Sequence, residues 1–110
     1  MSDEAGNPTF EIPSAKIVDY LLNVDHPKGG SKARFFLSFG FDPGAPTVFA
    51  RAIVAVQQAD ESRTRELEIG DRRRLVVEGP IEAPDGRRPR IRIVWQGEAD
   101  GWRLITAYPL

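Results

Sequence analysis

A change of hydrophobic period near Asp60 constrains this chain more than any other feature. Before it, apolar side chains recur every three or four residues, as on one face of a helix; after it they alternate, as on one face of a strand. Pro13 suits a first helical turn, where its missing N–H is no loss, and Ile17, Tyr20, Leu21 and Val24 then follow at helical spacing. Ser31 reads as the N-cap of a second helix, Lys32 to Phe39. Its Ala33, Phe35, Phe36, Leu37 and Phe39 leave it apolar nearly all round, so it is expected to be the central, most buried helix, stopped by Gly40. Thr47 caps a third helix reaching about Gln58, with Val48, Phe49, Ala52, Ile53 and Val56 as its stripe.

Past Asp60, Leu67 and Ile69 alternate with Glu66 and Glu68. Leu75-Val76-Val77 opens a second strand, and Pro84-Asp85-Gly86 is a turn signal, proline presetting one angle and glycine accepting a positive one. In Arg90–Trp95, Ile91, Ile93 and Trp95 share one face while Arg90, Arg92 and Val94 share the other. Trp102 to Tyr108 makes the last strand. This order predicts an α+β fold, three N-terminal helices packed on one face of a four-stranded antiparallel β-meander. Residues 1–11 read as a flexible polar tail whose end Phe10 and Ile12 pin to the core. Residues 12–110 read as a single domain, because neither half buries its apolar face alone.

Composition excludes several classes. The 110 residues contain no cysteine, which removes disulfides, thiolate zinc sites and thiol catalysis and fits a reducing cytoplasm. No run of about 18 apolar residues exists to span a membrane, and the acidic start Met1-Ser2-Asp3-Glu4 does not read as a secretory leader. One histidine and no clustered His or Glu spacing give no metal site, and no cofactor is expected. Walker, dinucleotide-binding and G-x-S-x-G motifs are absent.

Fifteen Lys and Arg against sixteen Asp and Glu argue against strong non-specific DNA binding. The charge is uneven, however. Every basic residue after position 61 is an arginine. Guanidinium groups suit phosphate, but Arg72, Arg73, Arg74, Arg87, Arg88, Arg90 and Arg92 are interleaved with Glu66, Glu68 and Glu78. Cross-strand salt bridges on a solvated face are therefore the expectation for this set.

Two stretches carry candidate chemistry. Asp25–Lys32 enters the second helix, where free N–H groups and the dipole favour an anion. Lys28, Gly29, Gly30, Ser31 and Lys32 are the candidate anion-binding residues; the alternative is a well-capped turn. His26, the one histidine, sits beside them and is of the residue type whose unperturbed pKa lies near neutrality, so it is a candidate general acid or base; the alternative is a turn residue bonded to backbone. Near the C-terminus, Tyr108 is a candidate donor to a phosphate or leaving group, or else a half-buried strand aromatic.

The segments "AKIVDYLLNVDHPKGGSKARFFLSFGF" (15–41), "VVEGPIEAPDGRRPRIRIVW" (76–95) and "WRLITAYPL" (102–110) resemble a small bacterial family, domain of unknown function 6883. The order of helices before a meander is also similar to the barnase, EndoU and RelE group of small ribonucleases and toxins. That resemblance implies metal-independent RNA cleavage through the 2′-hydroxyl, in a toxin-related module whose partner is RNA or a cognate protein. His26, Lys32, Arg92, Thr106 and Tyr108 are the residues available for its base, acid and cation. The alternatives are a non-catalytic, antitoxin- or immunity-like partner-binding domain, or a small-anion binder. The chain is expected to be a monomer or a dimer through an edge strand, the first or fourth of the meander.

Overall fold

Connections of two, nine and three residues, too short for a parallel crossover, dictate antiparallel pairing across the C-terminal half. The computed structural model describes residues 9–28 and 30–110. It places four antiparallel strands there: β2 (Arg63–Ile69), β3 (Arg72–Pro80), β4 (Arg90–Gly97) and β5 (Gly101–Pro109). Gly70, at φ 64°, makes the tight β2–β3 turn that a side chain would strain. A further strand, β1 (Thr9–Glu11), pairs in parallel with the start of β5, setting Phe10 beside Trp102. The sheet runs β1-β5-β4-β3-β2.

The expected four-stranded antiparallel meander is therefore corrected to a five-stranded mixed sheet with one parallel pair, and its first strand precedes the helices. The reason is local. Phe10 is the one apolar side chain in a polar stretch, and its ring meets Trp95 edge-on, with centroids 4.9 Å apart. Gly101, opposite Thr9, has no Cβ to collide with the Thr9 backbone, so β1 can lie close. The sheet edges are consequently β1 and β2, and β5, the fourth strand of the expected meander, is covered over its first three residues.

The first and third helices are shorter than their periodicity predicts, while the second starts two residues earlier, at Gly30. α1 begins as one α-helical turn, Ser14–Lys16, and widens into a π-helical stretch, Ile17–Leu21, where the Leu22 N–H bonds to the Ile17 carbonyl five residues back at 2.8 Å. α2 is Gly30–Ser38 and α3 is Pro46–Val56, with Pro46 in its first turn. α2 is buried along one side rather than all round. Ala33 and Phe36 are its fully buried side chains, while Leu37 is half-buried and Arg34 exposed. α3 buries Phe49, Ile53 and Val56 as one stripe. Phe36 sits at the centre of an aromatic group, with ring centroids 5.0 Å from Phe49 and 6.3 Å from Phe41.

One core joins these helices to the sheet: Ile17, Leu21, Phe36, Phe49 and Ile53 pack on Val77, Ile93, Trp95 and Leu104. The opposite sheet face is built from the alternate positions. Across it, the register aligns Arg63, Glu78, Arg92 and Tyr108 in one row, and Arg65, Val76, Val94 and Thr106 in the next.

Candidate functional site

α1 and α2 bring two polar side chains, Tyr20 and Lys32, to the part of β5 that β1 leaves uncovered. Tyr20 and Lys32 there meet Thr106, from the face opposite the core. The Lys32 ammonium donates to the Tyr20 hydroxyl at 2.7 Å and to Thr106 Oγ1 at 3.4 Å, and the Tyr20 hydroxyl lies 3.4 Å from Thr106 Oγ1. The same ammonium is 5.7 Å from the centre of the Tyr108 ring. Arg92 donates from Nη1 to the Tyr108 hydroxyl at 3.2 Å, and its Nε and Nη2 both reach Glu78 Oε2 at 2.6 Å. The result is two phenols, each held by a cation, with Lys32 between their rings.

Electrostatics within the cluster favour anions. Burial, the largest single influence on Tyr20, would raise its phenol. The hydrogen bonds from Lys32 and Thr106 and the charges of Lys32 and Lys16 together outweigh it and hold the phenol below its ordinary value. The bond to Tyr108, then the bond to Glu78, raises Arg92 above its ordinary value, so its charge is permanent.

Of the five residues expected to supply acid, base and cation, the structure gathers Lys32, Arg92, Thr106 and Tyr108 directly. His26 stands one residue out, its ring edge-on to Tyr20 with centroids 4.7 Å apart. Its Nδ1 accepts the Lys28 N–H at 3.0 Å, which puts the proton of the neutral ring on Nε2. The expected anion-binding residues do not converge in the same way. The Gly30 N–H bonds to the His26 carbonyl at 3.0 Å, and Gly30 is buried. Ser31 and Lys28 are exposed, and Lys32 points to the sheet rather than to the helix start. Gly29 lies outside the described residues. Gly30 also has a packing role, since a Cβ there would stand 2.5 Å from the Val24 carbonyl oxygen.

Sequence reasoning missed Tyr20. Its spacing with Ile17, Leu21 and Val24 fits a core stripe, but the π-helical stretch changes the phase and leaves it half-buried. A phenol on an otherwise aliphatic stripe was the only signal. Cross-strand pairing of the arginine set is partial: Arg92 pairs with Glu78, while Arg88 takes Glu82 at 2.6 Å and Glu61 at 3.2 Å. Glu66 and Glu68 face the other way from Arg63 and Arg65 on the same strand, and neither forms an ion pair among the described residues. Among those residues, no group of three His, Asp or Glu is placed to hold a metal ion, and no helix is long and apolar enough to cross a membrane. An open apolar groove of about 420 Å³ between β1 and α3, lined by Phe10, Ile12, Ala50 and Val54, contains none of the cluster.

The sequence profile of a domain of unknown function, DUF6883, matches residues 7–110. The chain belongs to that family. No curated protein matches it. Among solved structures, a chain of a contact-dependent growth inhibition toxin–immunity protein complex from Klebsiella pneumoniae 342 superposes with a TM-score of 0.67. The match covers 98% of this DUF6883 chain and 97% of that one at 18% identity, a likeness of fold.

Proposed function

We propose that this DUF6883 chain is a toxin-related module that cleaves RNA, with Tyr20, Lys32, Arg92, Thr106 and Tyr108 as its site. The observation that carries the reading is the Lys32 ammonium between two phenols, 2.7 Å from the Tyr20 hydroxyl, with Arg92 on the second phenol. In this scheme Tyr20, held low by Lys32, takes the proton of a ribose 2′-hydroxyl as that oxygen attacks phosphorus. The bond from phosphorus to the 5′-oxygen breaks, and Tyr108 gives that oxygen its proton. The products are a 2′,3′-cyclic phosphate and a 5′-hydroxyl. Lys32 and Arg92 neutralise charge on the non-bridging oxygens, and Thr106 donates to one of them. His26, its Nδ1 occupied, positions the Tyr20 ring. No step is routed through a metal.

The test is cleavage of mixed RNAs by the purified protein with and without a chelator. Cleavage is expected in both, ending in cyclic phosphates and absent from 2′-O-methyl RNA. Tyr20→Phe or Lys32→Ala should each lower the rate roughly 10²-fold or more. RNAs left intact at high protein concentration, or cleavage abolished by the chelator, would sink the reading.

A second reading is favoured by β2, whose seven residues are all exposed along an unpaired edge. A partner protein could add a strand there, as expected for an antitoxin- or immunity-like module. A second copy of the chain fits poorly, because antiparallel self-pairing sets Glu66 against Glu66 or, one register on, Arg65 against Arg65. Growth arrest on expression supports the first reading; harmless expression with protection from a co-expressed toxin supports the second.

A further inference from the structure

The sheet face opposite the helices carries far more positive charge than the whole chain does. Arg63 and Arg65 of β2, Arg72 and Arg74 of β3, and Arg90 and Arg92 of β4 all occupy that face by register. Among them stands Glu78, already bonded to Arg92. The acidic Glu66 and Glu68 of β2 lie on the other side. Near-zero net charge thus conceals a segregation by face.

Several of these arginines are not consumed by the fold, although Arg92 holds Glu78 and Tyr108 and Arg72 donates to Gln96. Arg63, Arg65 and Arg74 make no ion pair among the described residues. The Arg74 Nε–H is buried with no acceptor among them, a donor that folding alone leaves unsatisfied. Val76, 8% exposed, and half-buried Val94 form an apolar floor between the charges. The row that starts at Arg63 runs through Glu78 and Arg92 and ends at Tyr108, inside the Lys32 cluster.

We propose that this face is a track for single-stranded RNA, about two nucleotides long, which crosses β2, β3 and β4 and delivers one phosphodiester to Lys32 and Arg92. The inference rests on the RNA-cleaving reading above and extends it from a site to a surface. Guanidinium forks match phosphate oxygens bidentately. Neighbouring strands lie about 4.8 Å apart, so β2 to β4 spans about 10 Å, more than one nucleotide needs. Bases of a single strand can lie on the valine floor and against the Tyr108 ring, whereas a duplex hides them. The grip is on the backbone, so single-stranded DNA binds the track as well, and the 2′-hydroxyl matters only for cleavage.

The test is binding of a labelled oligoribonucleotide of about a dozen nucleotides across roughly 50–200 mM salt. The wild-type protein should bind with an affinity that falls steeply with salt. The exposed double variant R63A/R65A should bind about tenfold more weakly, with the slope of log K against log salt reduced by about 0.7 for each phosphate left without its guanidinium. R63K/R65K should recover part of the affinity, and cleavage of a dinucleotide should be unchanged in both. Arg51→Ala, which removes a charge from the helix side, should leave binding intact.

An unchanged affinity in R63A/R65A overturns the track even if cleavage persists. Equal weakening in Arg51→Ala and Arg65→Ala overturns it too, since net charge would then explain the attraction. Competition by polyglutamate as strong as by RNA overturns it in favour of an acidic protein on the same face. Binding that follows these arginines in a protein that cleaves nothing keeps the track and removes the catalytic reading.

Discussion

The two faces of the sheet are made by the same strands and have opposite chemistry. On one, Val77, Ile93, Trp95, Leu104 and Ala107 are closed against α1, α2 and α3. On the other, one residue along in each strand, stand Glu78, Arg92, Tyr108 and Thr106. A period of two keeps these sets apart along β3 and β4; in β5, Leu104 and Thr106 are two residues apart and reach opposite faces through the bulge opposite Val94 and Trp95. The covered face is held by burial of apolar area, which carries no charge to titrate. The bare face contributes little to stability, because its charges remain near water. Stability and proposed chemistry are therefore separable by mutation, face by face.

The largest expected effect falls on the covered face. Phe36 is fully buried and touches Phe41 and Phe49, so Phe36→Ala should cost about 3–5 kcal/mol in denaturant unfolding. R63A/R65A on the bare face should leave the unfolding midpoint close to wild type. A loss below about 1 kcal/mol for Phe36→Ala, or a large loss for the arginine variant, would break the division between faces.

A smaller effect tests the edge where the faces meet. A Cβ at position 101 would run into the backbone of Thr9. Gly101→Ala should therefore push β1 from β5, detach Phe10 from Trp95 and cost about 1–3 kcal/mol. Hydrogen exchange should then rise in residues 9–11 while the Lys32 cluster, at the far end of β5, is undisturbed. Equal exchange in wild type and variant would show that the strand tolerates a side chain there.

How much of this was legible in the sequence differs between the two faces. The alternation of Ile91, Ile93 and Trp95 with Arg90, Arg92 and Val94 is local, and it assigned each of these six side chains to its face. β1 was not legible, because three residues carry no period and a parallel pair with β5 depends on Gly101 and Trp95, some ninety residues away. Lys32, Arg92, Thr106 and Tyr108 could be named as polar groups of suitable chemistry. Their meeting could not be derived, since Lys32 and Thr106 are 74 residues apart and touch only through the packing of α2 on β5. Tyr20 was hidden by the opposite error, a helical spacing that the π-helical stretch overrides. The arginines were read as cross-strand partners of Glu66, Glu68 and Glu78; Arg92 does take Glu78, but Glu66 and Glu68 lie on the other face of β2, where Arg73 alone of the β3 arginines stands.

The smallest expected effect is a pH dependence, and it isolates the hydrogen bond between Tyr20 and Lys32. Burial pushes the Tyr20 phenol up, but Lys32, Thr106 and Lys16 together bring it below its ordinary value. The folded state therefore binds the phenolic proton more weakly than the unfolded chain does. Folding gains stability from ionisation as pH rises past the lowered value. The gain is complete above the ordinary tyrosine value of about 10 and is lost as pH falls through the lowered one. The difference in midpoint between wild type and Tyr20→Phe should accordingly widen in favour of wild type from neutral pH towards about pH 10. Other groups that titrate in this range are common to both proteins and cancel in the difference. Lys32→Met should abolish most of the widening, and added salt should shrink it, because the pair is only partly buried. The same phenol, acting as base, should make RNA cleavage rise with pH over the range below its ordinary value. A midpoint difference that stays flat or narrows with pH would mean that the ammonium does not hold the phenol, and the chemistry proposed for the bare face would then have no base.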